Sequence, residues 1–108
     1  MLKIEGTTIY MTRGDDAEIQ IDITDLSGEK YVLKDGDVLK LTVKKTVKEY
    51  DTAFEVVADA DGLFTISASD TKSLEFGKYV YDVQLTSDGK IQTVVPCSNF
   101  MIEAEVTS

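Results

Sequence analysis

Histidine and tryptophan are absent from the 108 residues, and cysteine and proline occur once each. Without histidine the chain lacks the commonest general base, the commonest protein metal ligand and every triad built on imidazole. A single cysteine excludes an intramolecular disulfide and a Cys-cluster zinc site. Cys97 has no histidine to lower its thiol pKa, so it reads as a small buried hydrophobe or an inert loop thiol, and a free thiol fits a reducing compartment. Positive charge is also scarce: 11 Lys and Arg stand against 20 Asp and Glu, for a formal charge of −9. Nucleic acids and anionic membranes are bound by clustered basic residues, so neither is an expected partner. No apolar run approaches the ~20 residues that cross a bilayer, and the segment 1–6 lacks the apolar stretch of a secretory signal. The expectation is synthesis and folding in the cytoplasm.

What is present is an ordinary core fraction. Hydrophobic residues make up 43% of the chain, too many for disorder and enough for one domain over residues 1–108. The apolar residues alternate. Ile19, Ile21 and Ile23 are interleaved with Glu18, Gln20, Asp22 and Thr24; Leu39, Leu41 and Val43 with Lys40, Thr42 and Lys44. Tyr79, Tyr81, Val83 and Leu85 form a third set, Phe64, Ile66 and Ala68 a fourth, and Phe100, Ile102 and Ala104 a fifth. A period of two marks strands with one face in a core and one in water, typical of antiparallel sheets.

Glycines at 28, 36, 62 and 89 punctuate these runs, each after Asp or Ser, as suits tight turns. Strands are expected over 7–12, 17–24, 37–45, 53–58, 62–68, 78–86, 90–95 and 99–106, with a short strand or turn at 31–33. Ser69–Phe76 reads as a helical turn, capped by Ser69 or Asp70, with Leu74 pointing inward. Pro96 marks a kink or bulge between strands. The fold class is all-β: an immunoglobulin-like antiparallel β-sandwich of about seven to eight short strands.

Charge is uneven along the chain. Residues 34–48 carry five lysines against Asp35 and Asp37, a local +3 on a body that otherwise sums to −12. Such a row on a strand's outer face is either solvation and edge protection or an electrostatically matched contact. Lys40, Lys44, Lys45 and Lys48 are the candidate protein-contact surface.

Other constellations read as structure. Arg13-Gly14-Asp15 spells an integrin-type tripeptide but sits where a turn is expected. Asp59-x-Asp61-Gly62 resembles the opening of a calcium loop, yet glycine falls at position 4 and Leu63 at position 5, so a hairpin turn fits better. Tyr79 and Tyr81 share a face and read as core rather than as a sugar platform. A glycosidase would need two carboxylates facing across a cleft, which so small a sandwich has little wall to build. No enzyme activity, cofactor or metal is expected.

Three stretches resemble small proteins encoded in the tail regions of phages and prophages of Gram-positive bacteria. Ile9-Tyr10-Met11-Thr12-Arg13-Gly14-Asp15 followed by Ile19–Thr24 is similar to the opening of upper-baseplate N-terminal domains. Tyr31-Val32-Leu33, then Gly36 and Val38–Lys44, resembles that group's "Leu, turn, alternating Val/Lys strand". Leu74–Leu85 with Gly77, Tyr79, Tyr81, Asp82 and Val83, then Asp88-Gly89, Thr93 and Phe100–Thr107, resembles the ending of such tail components. Pro96-Cys97-Ser98-Asn99 stands where that ending commonly has a glycine. No stalk of the kind found in full upper-baseplate proteins precedes Ser108, so a stand-alone small virion protein or a prophage remnant is expected.

The resemblance implies a non-enzymatic structural component of a tail or baseplate, assembled in the host cytoplasm into the virion. Its partners would be copies of itself, as a homo-oligomer, or neighbouring tail proteins. The alternative reading is a carbohydrate- or ligand-binding accessory module, calcium-assisted through the Asp-rich turns.

Overall fold

The computed structural model describes residues 2–25, 27–48 and 51–104, with only the backbone described at 3–5. Its elements are β1 (Leu2–Glu5), β2 (Thr8–Thr12), β3 (Ala17–Gln20), β4 (Ile23–Thr24), β5 (Lys30–Tyr31), β6 (Val38–Lys44), β7 (Phe54–Val57), β8 (Leu63–Ile66), α1 (Ala68–Thr71), β9 (Gly77–Ser87) and β10 (Lys90–Glu103). The fold is all-β and sandwich-like, with a main sheet that curls into a half-barrel. That sheet has the order β1-β2-β10-β9-β6-β7, and the ladders β3-β8 and β4-β5 form the remainder. Every pairing is antiparallel except β2 with β10, which run parallel with Ile9 opposite Phe100 and Met11 opposite Ile102.

Alternation decides which face is buried. On β6, Leu39, Leu41 and Val43 are buried while Val38, Lys40, Thr42 and Lys44 face out. On β9, Tyr79, Tyr81, Val83 and Leu85 are buried and Val80, Asp82 and Gln84 lie opposite. Ile9 and Met11 of β2 and Phe100 and Ile102 of β10 continue the inner surface. Ile19 of β3 and Phe64 and Ile66 of β8 cover it from the second layer. Phe100 is central: Phe54 and Tyr81 meet its ring edge-on at centroid distances of 5.7 and 6.1 Å, a geometry that adds to the gain from area burial.

Several boundaries differ from the sequence reading. The strand expected over 17–24 breaks after Gln20, because β3 pairs with β8 and β4 with β5; the Ile21 N–H turns to the Gly62 carbonyl at 3.3 Å. The strands expected over 90–95 and 99–106 are one strand, β10, which stays paired to β9 through two register shifts around residues 93–98. Pro96 lies in that irregular stretch, as its missing N–H requires. The end of the expected strand, from Glu105 on, lies outside the described residues. β1 was not anticipated, although Leu2-Lys3-Ile4-Glu5 alternates.

The helical turn begins earlier than expected. Ser67, not Ser69 or Asp70, is the N-cap, and the Asp70 carboxylate accepts the Ser67 N–H at 2.9 Å. The β2–β3 turn is bonded to this segment. The Gly14 N–H donates to the Thr71 hydroxyl at 2.9 Å and the Ala68 N–H to the Asp16 carboxylate at 2.7 Å. Thr71 is fully buried, so replacing its hydroxyl leaves the Gly14 N–H unsatisfied. Thr71→Val is expected to destabilise the fold by about 1–3 kcal/mol in chemical denaturation, and Thr71→Ser by clearly less; equal losses would contradict the role of the hydroxyl.

Gly62 has φ +82°, and a Cβ there would stand 2.9 Å from the Ile21 carbonyl oxygen, whereas Gly36 at φ +90° has open space around it. Gly36→Ala should therefore cost only the left-handed backbone penalty of about 1–2 kcal/mol. Gly62→Ala should cost roughly 1–3 kcal/mol more through crowding. Denaturation midpoints that rank the two variants the other way would contradict this packing.

Candidate functional site

The outer face of the main sheet carries the residues that sequence reading marked. Thr42 sits opposite Asp82 on β9 and opposite Glu55 on β7, with Lys40 and Lys44 one outward position above and below it on β6. Here a groove of about 440 Å³ is lined by Lys40, Thr42, Lys44, Glu55, Asp82 and Gln84, with Val47 and Cys97 at its margins. Lysines and carboxylates therefore alternate across three strands. The Lys40 ammonium stands 3.8 Å from the Glu55 carboxylate, both side chains about half exposed, so this ion pair is worth well under 1 kcal/mol. The face is amphoteric rather than a basic patch.

The other lysines of the run go elsewhere. Lys45 is exposed beyond the end of β6, 4.7 Å above the Tyr79 ring and 3.7 Å from the Glu75 carboxylate. Lys48 is exposed in the following loop. Neither is among the groove-lining residues. Lys34 lies at the far end of the sheet, bonded to Asp88 in the β9–β10 turn at 2.7 Å, and that carboxylate raises the Lys34 pKa above its ordinary value. The four residues nominated from sequence thus divide into a pair, Lys40 and Lys44, on one groove, and two at the sheet's end.

The remaining motifs make contacts within the fold. The Arg13 guanidinium lies 4.0 Å over the Phe76 ring and donates to the Leu74 carbonyl at 3.3 Å, so the Arg-Gly-Asp tripeptide of the β2–β3 turn is tied to the connection between α1 and β9. The Asp59 carboxylate accepts the Asp61 and Leu63 N–H groups at 2.9 and 3.0 Å, organising the β7–β8 turn. No group of three or more acidic or cysteine side chains that could hold a metal occurs among the described residues. Tyr79 and Tyr81 are buried, with hydroxyls donating to the Glu75 and Thr7 carbonyls; burial pushes the Tyr81 pKa up. Cys97 is exposed, not buried.

Sequence reading missed the aliphatic residues on the same outer face. Val57, Val38 and Ile91 are 57%, 41% and 65% exposed. Val38 is opposite Thr86, and Thr86 is opposite Ile91, while Val57 is opposite Lys40. They lie on one face of three strands, Val38 and Ile91 level with each other on either side of Thr86 and Val57 one outward position away, a placement invisible without the register. No family model, curated protein or solved structure matches the chain.

Asp37, just before β6, accepts the Tyr31 hydroxyl at 2.6 Å and the Lys34 N–H at 3.1 Å. The Tyr31 bond, foremost, holds its carboxyl below the usual carboxylate range. Asp25 is lowered likewise, chiefly by the Ser27 hydroxyl. A carboxyl with a depressed folded pKa lends stability above its unfolded pKa, near 4, and loses it as pH falls through the folded value. The melting temperature is expected to fall from pH 5 to pH 2, and Asp37→Asn to make that fall shallower while lowering stability at pH 7. An unchanged slope would contradict the role given to Asp37.

Proposed function

We propose that the chain is a non-enzymatic structural component of a phage or prophage tail or baseplate, working through protein–protein contacts made by the outer face of its main sheet. The observation that carries this reading is the composition of that face. Lys40 and Lys44 alternate with Glu55 and Asp82 beside exposed aliphatic side chains, on a chain that is strongly acidic elsewhere. Mixed charges around exposed aliphatic side chains suit recognition of a protein surface, where charge sets register and apolar contact supplies affinity. The tail assignment itself is supported by the resemblance of the three stretches, whose residues build β2, β6, β9 and β10. The tyrosines that a sugar-binding module would display are in the core, and the Asp59 carboxylate is engaged by backbone N–H groups, so the accessory-module reading has less support.

Co-expressed with the proteins encoded beside it, the chain is expected to co-purify with at least one of them or with further copies of itself. A variant with Lys40, Lys44, Lys45 and Lys48 all changed to Glu should lose that association by about tenfold or more, a change worth about 1.4 kcal/mol, while keeping its far-ultraviolet spectrum. A folded wild-type chain that binds no neighbouring product and never self-associates would overturn the proposal.

A further inference from the structure

We infer that the outer face of the main sheet is self-complementary and that its occupant is a second copy of the chain, joined face to face about a two-fold axis. This rests on the assembly reading and names the partner for the same surface. The argument begins with net charge. Two copies at −9 each repel wherever acidic surfaces meet. On the outer face of β6, β7 and β9 opposite charges instead intermix, Lys40, Lys44 and Lys78 against Glu55 and Asp82. Val38 and Val57 lie exposed on this face, and Ile91 on the neighbouring β10.

Register makes the match specific. An axis running along the strands between β6 and β9 exchanges β6 with β9 and β7 with β10, leaving each residue row at its own height. Because Val38 is paired with Thr86, Val38 of one copy then faces Thr86 of the other. Thr42 is paired with Asp82, so Asp82 of the second copy falls between Lys40 and Lys44 of the first. Val57 on β7 and Ile91 on β10 flank this central contact from either side. Each of these contacts occurs twice by symmetry. An axis through β6 itself would instead place lysine on lysine.

Size sets the strength. Four strands about 4.8 Å apart, over about six residues, give a face of roughly 20 by 20 Å. That is about 400 Å² per copy, roughly 800 Å² in total and below the ~1,000 Å² of a stable interface, so the dimer is a transient one, with an affinity of about 100 μM or weaker.

Sedimentation velocity and light scattering on the full chain, over a wide concentration range, test this. The weight-average mass should climb from 11.9 kDa toward twice that value. Ile91→Lys and Val57→Lys alter exposed side chains and should keep the melting temperature while weakening dimerisation about tenfold or more. Lys44→Asp and Asp82→Lys should each weaken it, and the double variant should recover part of the loss. A wild-type chain that stays at 11.9 kDa throughout overturns the dimer, and if that monomer still binds a neighbouring tail protein the assembly reading stands without it. Dimers unaffected by the Val57, Ile91 and charge variants also overturn the proposal.

Discussion

The long pairing of β9 with β10 is the constraint on which the rest of the structure depends. Each of these strands binds the sheet onward: β9 carries β6 and through it β7, while β10 carries β2 and through it β1. The hairpin must therefore keep its alternation in step over more than ten residues, because a slip of one residue would turn every inner side chain outward. It does so by absorbing its irregularities within residues 93–98. Beyond them, Phe100 and Ile102 return to the inner face in register with Tyr79 and Gly77. Phe100 then sits between Phe54 and Tyr81, joining β7 to the β9–β10 pair. Once that ladder is set, the outer face is set with it.

What could be read from residues alone was whatever alternates over a long run. β6 and β9 lie within one residue of their expected bounds, because three and four inward apolar positions at period two have no competing helical reading. Shorter elements were harder. β1 rests on Leu2 and Ile4 alone, and the break after Gln20 has no breaker residue, being imposed by a change of pairing partner. The cap of α1 was misplaced because Ser67, Ser69 and Asp70 are all competent caps, and the choice depends on the contact between Asp16 and Ala68.

For the candidate site, sequence proximity grouped five lysines that topology separates. Alternation keeps Lys40 and Lys44 on one face, while Lys34 and Lys45 lie beyond the two ends of β6 and meet Asp88 and Glu75. Conversely, Val38, Val57 and Ile91 are distant in sequence and brought to one face only through hydrogen-bonded register. The composition of the outer face is thus a tertiary property, whereas its location on β6 was readable. The stitching of the Arg13–Asp16 turn to α1 belongs to the same class: each residue looked like ordinary turn chemistry, and the partners lie more than fifty positions away.

These features make one account: a strictly one-sided ladder buries its apolar face, and the face left outward is mixed in charge and dotted with aliphatic side chains, suited to meeting another protein. The most direct measurement is a nuclear magnetic resonance dilution series that follows every backbone amide. The account predicts concentration-dependent shifts confined to β6, β7, β9 and the Lys90–Thr93 part of β10, strongest near Val38, Asp82 and Ile91. Shifts centred instead on the β2–β3 turn and α1, or none at any concentration, would contradict it.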